Sequence, residues 1–215
     1  MFKYAVIYAG GEGTRMLPLT HYVPKGLICV NNKPLIQYVI DSLLSNGIEH
    51  IYVTYSYKSE QLFSYLKNKV SGFINTTNKD NSYFLYNSFI KHINEPVICM
   101  PCDIIVNIDF KKVYTNFLKL HYPVCALIPV DVKEGIDGDY ITASNNIITT
   151  LDRKKNTEMY ASGIQIITPE RLNKITKATD NFNNVWKQLI SLNQLYTINV
   201  KPISWHAYDN IRDII

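Results

Sequence analysis

Between Lys3 and Ala9 the chain is an almost unbroken run of apolar strand formers, Tyr4-Ala5-Val6-Ile7-Tyr8, and the run stops at Gly10. A run without polar alternation fits a strand covered on both faces, as in a parallel sheet. The period then changes. Leu35, Ile36, Val39, Ile40, Leu43 and Leu44 recur at helical spacing, with Pro34 placed to open the helix and Gly47 to end it. Residues 51–55 read as a second strand, 59–70 as a helix, 75–82 as a polar Asn- and Thr-rich stretch, and 83–94 as another helix. A short strand at 97–100, a helix at 109–120 and a strand at 124–130 complete an alternation that predicts βαβα units and a parallel sheet. From about residue 131 the texture shifts, because Gly135, Gly138 and the alternating segments of 139–151 suit an antiparallel ribbon covering the ligand edge of the sheet. No repeat, linker or low-complexity run divides the chain.

Composition narrows the class. The 215 residues suit one large domain or two small ones, and 47% hydrophobic with 19% charged residues is the balance of a soluble globular protein, which excludes disorder, collagen and coiled coil. No apolar run approaches the ~20 residues of a membrane span, and the apolar start lacks a cationic stretch with a cleavage site. A cytoplasmic protein without a membrane partner is expected. The net charge of +4 is scattered apart from Arg153, Lys154 and Lys155, which suits a phosphorylated small molecule better than a nucleic-acid duplex. Four cysteines are too few to staple such a chain. Cys99 and Cys102 form a lone C-x-x-C whose first member sits inside an apolar run, so core packing is expected rather than metal binding.

Directly behind the first strand lies Gly10-Gly11-Glu12-Gly13-Thr14-Arg15, where open α/β sheets bind ligands, outside the carboxyl ends of the strands. Glycines let backbone N–H groups approach a phosphate, and Arg15 offers a planar fork of donors to phosphate oxygens. A Walker A loop would need a Lys-Ser or Lys-Thr pair after the glycines, and none follows. A dinucleotide fingerprint would need glycine where Met16 stands and an acidic residue where Tyr55 and Ser56 end the second strand. Taken alone, the loop is also explained by a glycine-rich tight turn.

Residues 9–35 carry more than the loop. Ala9-Gly10-Gly11-Glu12-Gly13-Thr14-Arg15 leads through Pro18 and Thr20 to Pro24-Lys25 and then Asn32-Lys33-Pro34-Leu35. This resembles the opening signature of the sugar-1-phosphate nucleotidyltransferases, the nucleotide-sugar pyrophosphorylases: A-G-G-x-G-T-R-x-x-P-x-T, then P-K, then a basic residue with P-L or P-I. The resemblance implies a Rossmann-like three-layer α/β sandwich with a mostly parallel mixed sheet and the antiparallel ribbon in its acceptor half. It implies an enzyme that joins a sugar 1-phosphate to a nucleoside triphosphate with Mg²⁺, releasing pyrophosphate. A single domain over 1–215 is then expected, with a nucleotide-binding half of about 1–105 and an acceptor-binding half of about 106–215. Assembly into a homo-oligomer is compatible with this reading.

Later segments extend the resemblance more loosely. Met100-Pro101-Cys102-Asp103 is similar to the family's strand-then-Gly-Asp segment, implying Asp103 as a magnesium ligand, with Cys102 where glycine is usual. A carboxylate just past a strand end also suits Mg²⁺ in its own right, since that ion takes one or two carboxylates plus phosphate oxygens; a capping role would account for it equally. Tyr160-Ala161-Ser162-Gly163-Ile164 resembles the family's N-A-G-I-Y strand, placing Gly163 beside the acceptor. Asp152-Arg153-Lys154-Lys155 looks like an eroded E-K-P or E-K-K segment, implying Lys154, then Lys155, on the acceptor phosphate; a solvated charge run explains it as well. Trp205-His206-Ala207-Tyr208-Asp209 is similar to a W-x-E-I-D ending, implying Asp209 as second magnesium ligand, with Ala207 where an acid is usual.

On this reading Ala9, Gly10, Gly11, Gly13 and Thr14 wrap the nucleotide, Arg15 holds the β and γ phosphates, and Lys25 stands between the α-phosphate and the acceptor phosphate. The glutamine and glycine-rich turn of uridylyl and thymidylyl members is missing. Instead residues 76–85 slightly resemble the N-N-x-Y-S-L segment of cytidylyltransferases acting on phosphocholine-like acceptors, which nominates Asn81 for the base, since an amide both donates and accepts; a surface loop feeding a helix accounts for the segment as well. The acceptor surroundings offer Asp139, Ser162, Gln165 and Asn183 or Asn184 without a decisive pattern, and Trp186 and Trp205 read as core residues before stacking partners for an acceptor. Two other readings stay open: a cytidylyltransferase acting on a phosphocholine-like phosphomonoester, and a catalytically silent nucleotide-binding relative, suggested by Cys102, Ala207 and the eroded Glu-Lys segment.

Overall fold

The opening apolar run is strand β1 (Tyr4–Tyr8) in the computed structural model, which describes residues 1–132, 138–154 and 157–214. Gly135 and Lys155 lie outside the described residues. Past the glycine-rich loop a small hairpin, β2 (Cys29–Val30) with β3 (Lys33–Pro34), leads into helix α1 (Leu35–Ser45). Then come β4 (His50–Tyr55), α2 (Ser59–Leu66), β5 (Gly72–Asn75), α3 (Phe84–Asn87) and β6 (Val97–Pro101). β7 (Ile104–Asn107), α4 (Phe110–Lys119) and β8 (Cys125–Asp131) follow. The remainder supplies the ribbon β9 (Tyr140–Ser144) and β10 (Ile147–Asp152), the long β11 (Met159–Ile167), α5 (Pro169–Ile175), α6 (Phe182–Ser191), β12 (Leu195–Thr197) and β13 (Ser204–Ala207).

One nine-stranded sheet runs in the order β5-β4-β1-β6-β11-β8-β12-β10-β9. β1 pairs parallel with β4 and β6, β4 with β5, and β8 with β12, while β11 opposes β6, β8 and β9, and β10 opposes β12 and β9. Only β10 and β11 are therefore reversed, which makes the sheet mixed but mostly parallel. Helices α1, α2 and α4 bury their apolar stripes against one face and α3, α5 and α6 against the other, giving three layers. The missing alternation in β1 now has its cause: Ala5 and Ile7 enter the first core and Val6 the second.

Leu35, Ile36, Val39, Ile40 and Leu43 of α1 are buried, each worth about 1.5–3 kcal/mol when removed from water. Leu44, expected on the same stripe, is 52% exposed, because it lies one step round the helix from Leu43. The segment 83–94 is not one helix. Ser88 adopts an extended conformation (φ −121°, ψ 177°), and its Oγ accepts from the Ile90 N–H at 3.2 Å, opening a separate 3₁₀ turn. Serine competes for backbone hydrogen bonds in this way. The second helix stops at Leu66 rather than 70, and β5 occupies residues for which no element was expected, just before the polar stretch, since Phe73 and Ile74 are too short a signal. Among the described residues no helix is long and apolar enough to cross a membrane.

Candidate active site

The carboxyl ends of β1, β4 and β6 open at one edge of the sheet onto a cavity of about 440 Å³. Ala9, Gly10, Gly11, Gly13, Thr14 and Asn81 all line it, and so do Arg15, Lys25, Asp103 and Asp209. The loop is held from below. Thr54 Oγ1 accepts from the Ala9 N–H at 3.2 Å, and Thr20 Oγ1 donates to the Gly13 carbonyl at 3.1 Å. Gly13 has φ +64°, and a Cβ there would stand 3.1 Å from Lys25 Cβ, so the turn that exposes Arg15 requires glycine.

A second ribbon, absent from the sequence expectations, brings the two aspartates together. β13 pairs antiparallel with β7, from Ser204 opposite Asn107 to Ala207 opposite Ile104, and the Tyr208 N–H donates to the Asp103 carbonyl at 2.9 Å. Asp103 precedes β7 and Asp209 follows β13, so the pairing sets their carboxylates side by side. Lys25 donates to Asp103 Oδ2 and, at 3.0 Å, to Asp209 Oδ1; Arg15 reaches the same Asp209 oxygen at 3.2 Å. The Lys25 and Asp103 side chains are only 13% and 16% exposed, so this pair is shielded from bulk water, whereas Arg15 is 61% exposed. Burial pulls the Lys25 ammonium down, but Asp103 and Asp209 outweigh it and hold its pKa above the ordinary lysine value. Burial pushes the Asp103 carboxyl up against the pull of Lys25.

A second cavity of about 300 Å³ adjoins the first and shares Tyr8, Arg15, Asn81, Asp103 and Asp209 with it. Its far walls are aromatic, from Phe182, Trp186, Tyr160 and Trp205. Gly163 lies in its lining with φ +85°, and a Cβ would meet Pro101 Cγ at 3.1 Å. Much of the polar inventory is already spent: Ser162 Oγ accepts from the Ile164 N–H, and Trp205 Nε1 donates to the Ser162 carbonyl at 3.0 Å.

Sequence reasoning and structure part company at three positions. Lys154 is exposed and lines neither cavity; the basic residue in the wall is Arg153, whose Nε donates to Asp139 Oδ1 at 3.3 Å. Asn183 and Asn184 are likewise outside both linings. Asn81 Oδ1 accepts from the Phe182 N–H at 3.1 Å, which leaves its NH₂ as the group it can offer the cavity. Tyr8, Thr54 and Thr76 line the first cavity without having been singled out; for Tyr8 and Thr54 the available signal was their place near the carboxyl ends of β1 and β4.

Residues 4–149 match the nucleotidyl transferase family. The chain is 49% identical over 65 residues to the choline-phosphate cytidylyltransferase of Streptococcus pneumoniae, covering 30% of this chain and 28% of that protein. It is 26% identical over 212 residues to the mannose-1-phosphate guanyltransferase of Saccharomyces cerevisiae, covering 91% of this chain and 58% of the relative. Across the first four curated relatives the match spans between 26% and 58% of their length. A UDP-glucose pyrophosphorylase solved with UDP-glucose shares the fold, with a TM-score of 0.75 and 17% identity over 100% of this chain and 96% of the other.

Proposed function

The chain belongs to the nucleotidyl transferase family, and from that premise we propose that it joins a sugar 1-phosphate to a nucleoside triphosphate, giving a nucleotide sugar and pyrophosphate. The observation that carries the proposal is the Lys25 ammonium in the first cavity, held by Asp103 and Asp209, the two carboxylates that line both cavities. In this reading the triphosphate fills the larger cavity, and an oxygen of the acceptor phosphate attacks the α-phosphorus from the smaller one, opposite the departing pyrophosphate. A phosphomonoester with a second pKa near 6 is largely dianionic at neutral pH and needs no general base. The protein's task is to bring two anions into line and neutralise the charge on the transferring group.

Each side chain has a part in that task. Ala9, Gly10, Gly11, Gly13 and Thr14 wrap the phosphates; Arg15, exposed and forked, takes the β and γ oxygens. Lys25 meets both the α-phosphate and the acceptor phosphate as a compact point charge. Asn81 donates to the base, Gly163 keeps the acceptor wall thin, and Arg153 replaces Lys154 as the cation on the acceptor side. Asp103 and Asp209 suit a divalent ion, because their oxygens already converge on one cation. Among the described residues no third candidate ligand joins them, so phosphate oxygens and water complete any such shell. Bound there, Mg²⁺ supplies additional neutralisation of phosphate charge. The chain acts as one domain, with the nucleotide-binding half over about 1–105 and the acceptor-binding half over about 106–215.

A second reading follows from the smaller cavity. Aromatic faces and the Asp139 carboxylate suit a phosphomonoester with an ammonium head group as well as a hydroxyl-rich sugar. Pyrophosphate release with each of the five common triphosphates, Mg²⁺, a panel of sugar 1-phosphates and phosphocholine decides between them. Turnover with a sugar 1-phosphate supports the proposal, turnover with phosphocholine alone supports the second reading, and binding of triphosphate without turnover across the panel overturns both.

A further inference from the structure

We propose that Gln165 is the positioning residue that fixes the acceptor pocket, by locking Trp186 and Tyr8 to one buried amide; the inference rests on the two-cavity reading above. Gln165 lies in β11, the reversed strand between β6 and β8, and is 2% exposed. Its Oε1 accepts from the indole N–H of Trp186 at 3.0 Å, and its Nε2 donates to the Tyr8 hydroxyl at 3.0 Å. The Cys125 thiol also points to Oε1, at 3.7 Å. An indole N–H only donates, while the phenol accepts here and can also donate, so the group between them must offer the indole an acceptor and the phenol a hydrogen-bond partner. An amide does both, and so does a carboxyl group; an aliphatic side chain of the same size does neither.

The position of these partners makes the bond matter to substrate. Trp186 and Gln165 belong to the smaller cavity, and Tyr8 lines both. Phe182 stacks on Trp186 with centroids 5.8 Å apart and an interplanar angle of 22°, and it packs against Tyr8 at 5.3 Å. Trp186, Phe182 and Tyr8 are therefore one aromatic wall, and Gln165 bonds to both of its ends. Without that amide the indole is free to turn about its χ angles, and the acceptor loses a surface of defined shape. Gln165 also lies in the lining of that cavity, but its amide oxygen and nitrogen are both engaged by these two rings.

The test uses whichever of glucose 1-phosphate or phosphocholine turns over in the panel above. Gln165→Leu should raise the KM for that acceptor by about ten-fold, with the triphosphate KM changing by less than about three-fold, because the ring that moves belongs to the acceptor side. In a Trp186→Phe background, which has no indole N–H to anchor, Gln165→Leu should add no more than about two-fold. Gln165→Glu keeps an acceptor for the indole and a partner for the phenol, and should restore the acceptor KM. A second measurement does not need turnover. In the Trp205→Phe protein Trp186 is the one remaining tryptophan of the two in the chain, and Gln165→Leu should raise its quenching by acrylamide while Gln165→Glu does not. Equal changes in both KM values, full additivity in the Trp186→Phe background, or unchanged quenching overturns the proposal. A panel without turnover refutes the enzymatic reading alone, and the quenching experiment still decides the role of Gln165.

Discussion

Lys25 and Arg15 both touch Asp209, yet their surroundings separate what their loss should do. An exposed ion pair such as that of Arg15 contributes about 0–1 kcal/mol, so Arg15→Ala should leave the urea midpoint nearly unchanged while turnover falls by the ~10²-fold typical of one lost charge-stabilising donor. A large stability loss without a turnover loss would contradict its proposed place on the phosphates. The cysteines give a second prediction at this scale. Cys29 is exposed and Cys99, Cys102 and Cys125 are buried, so a thiol reagent at pH 8 should label one cysteine in the native protein and four after unfolding. Burial pushes the Cys99 thiol from its ordinary 9.0 up to about 12 and moves Cys102 and Cys125 in the same direction. Between those values the unfolded chain has released protons that the folded chain keeps, so stability should fall as pH rises through that window. A urea midpoint that holds steady or rises between pH 8 and 10 would contradict the burial of these thiols.

The elements differ in how much of themselves the sequence discloses. β1, α1, β4, β6, α4 and β8 each carry their own apolar period, and the glycine loop announces itself by composition, so the loop that lines the first cavity was readable in advance. The meeting of the two aspartates was not. Asp103 and Asp209 can be nominated one at a time, but the hairpin-like meeting of β7 and β13 depends on two four-residue strands nearly a hundred positions apart, which leave no local period. Lys154 lies outside both cavity linings for a related reason: no local period says which residue of a basic run borders a cavity, and here Arg153 does so, on the Asp139 carboxylate. Two substitutions test this scale. Gly163→Ala places a Cβ at φ +85° against Pro101 and should cost about 1–2 kcal/mol in urea unfolding; no loss would mean that the strand relaxes freely. Asn181 caps α6 through the Asn183 N–H and donates to Asp80, which lines the first cavity, so Asn181→Ala should cost about 0.5–2 kcal/mol and, on the proposed reading, weaken triphosphate binding as well. Unchanged triphosphate affinity would separate that clasp from the nucleotide site.

At the scale of the molecule, one sheet carries two adjoining cavities that share the carboxylates of Asp103 and Asp209, and in the first of them Lys25 is held between the two. Mixed strand direction serves this layout, since β1, β4 and β6 end at the first cavity while the reversed β11 lends residues 160–163 and Gln165 to the second. The central claim is that Lys25 draws the two phosphates together there. Single-turnover pyrophosphate release by Lys25→Ala, compared with the unsubstituted enzyme on the triphosphate and acceptor pair that turns over, tests it most directly, with triphosphate binding measured on the same preparation to report an intact fold. The account predicts a rate lower by at least ~10²-fold with binding retained; release at the full rate would contradict it.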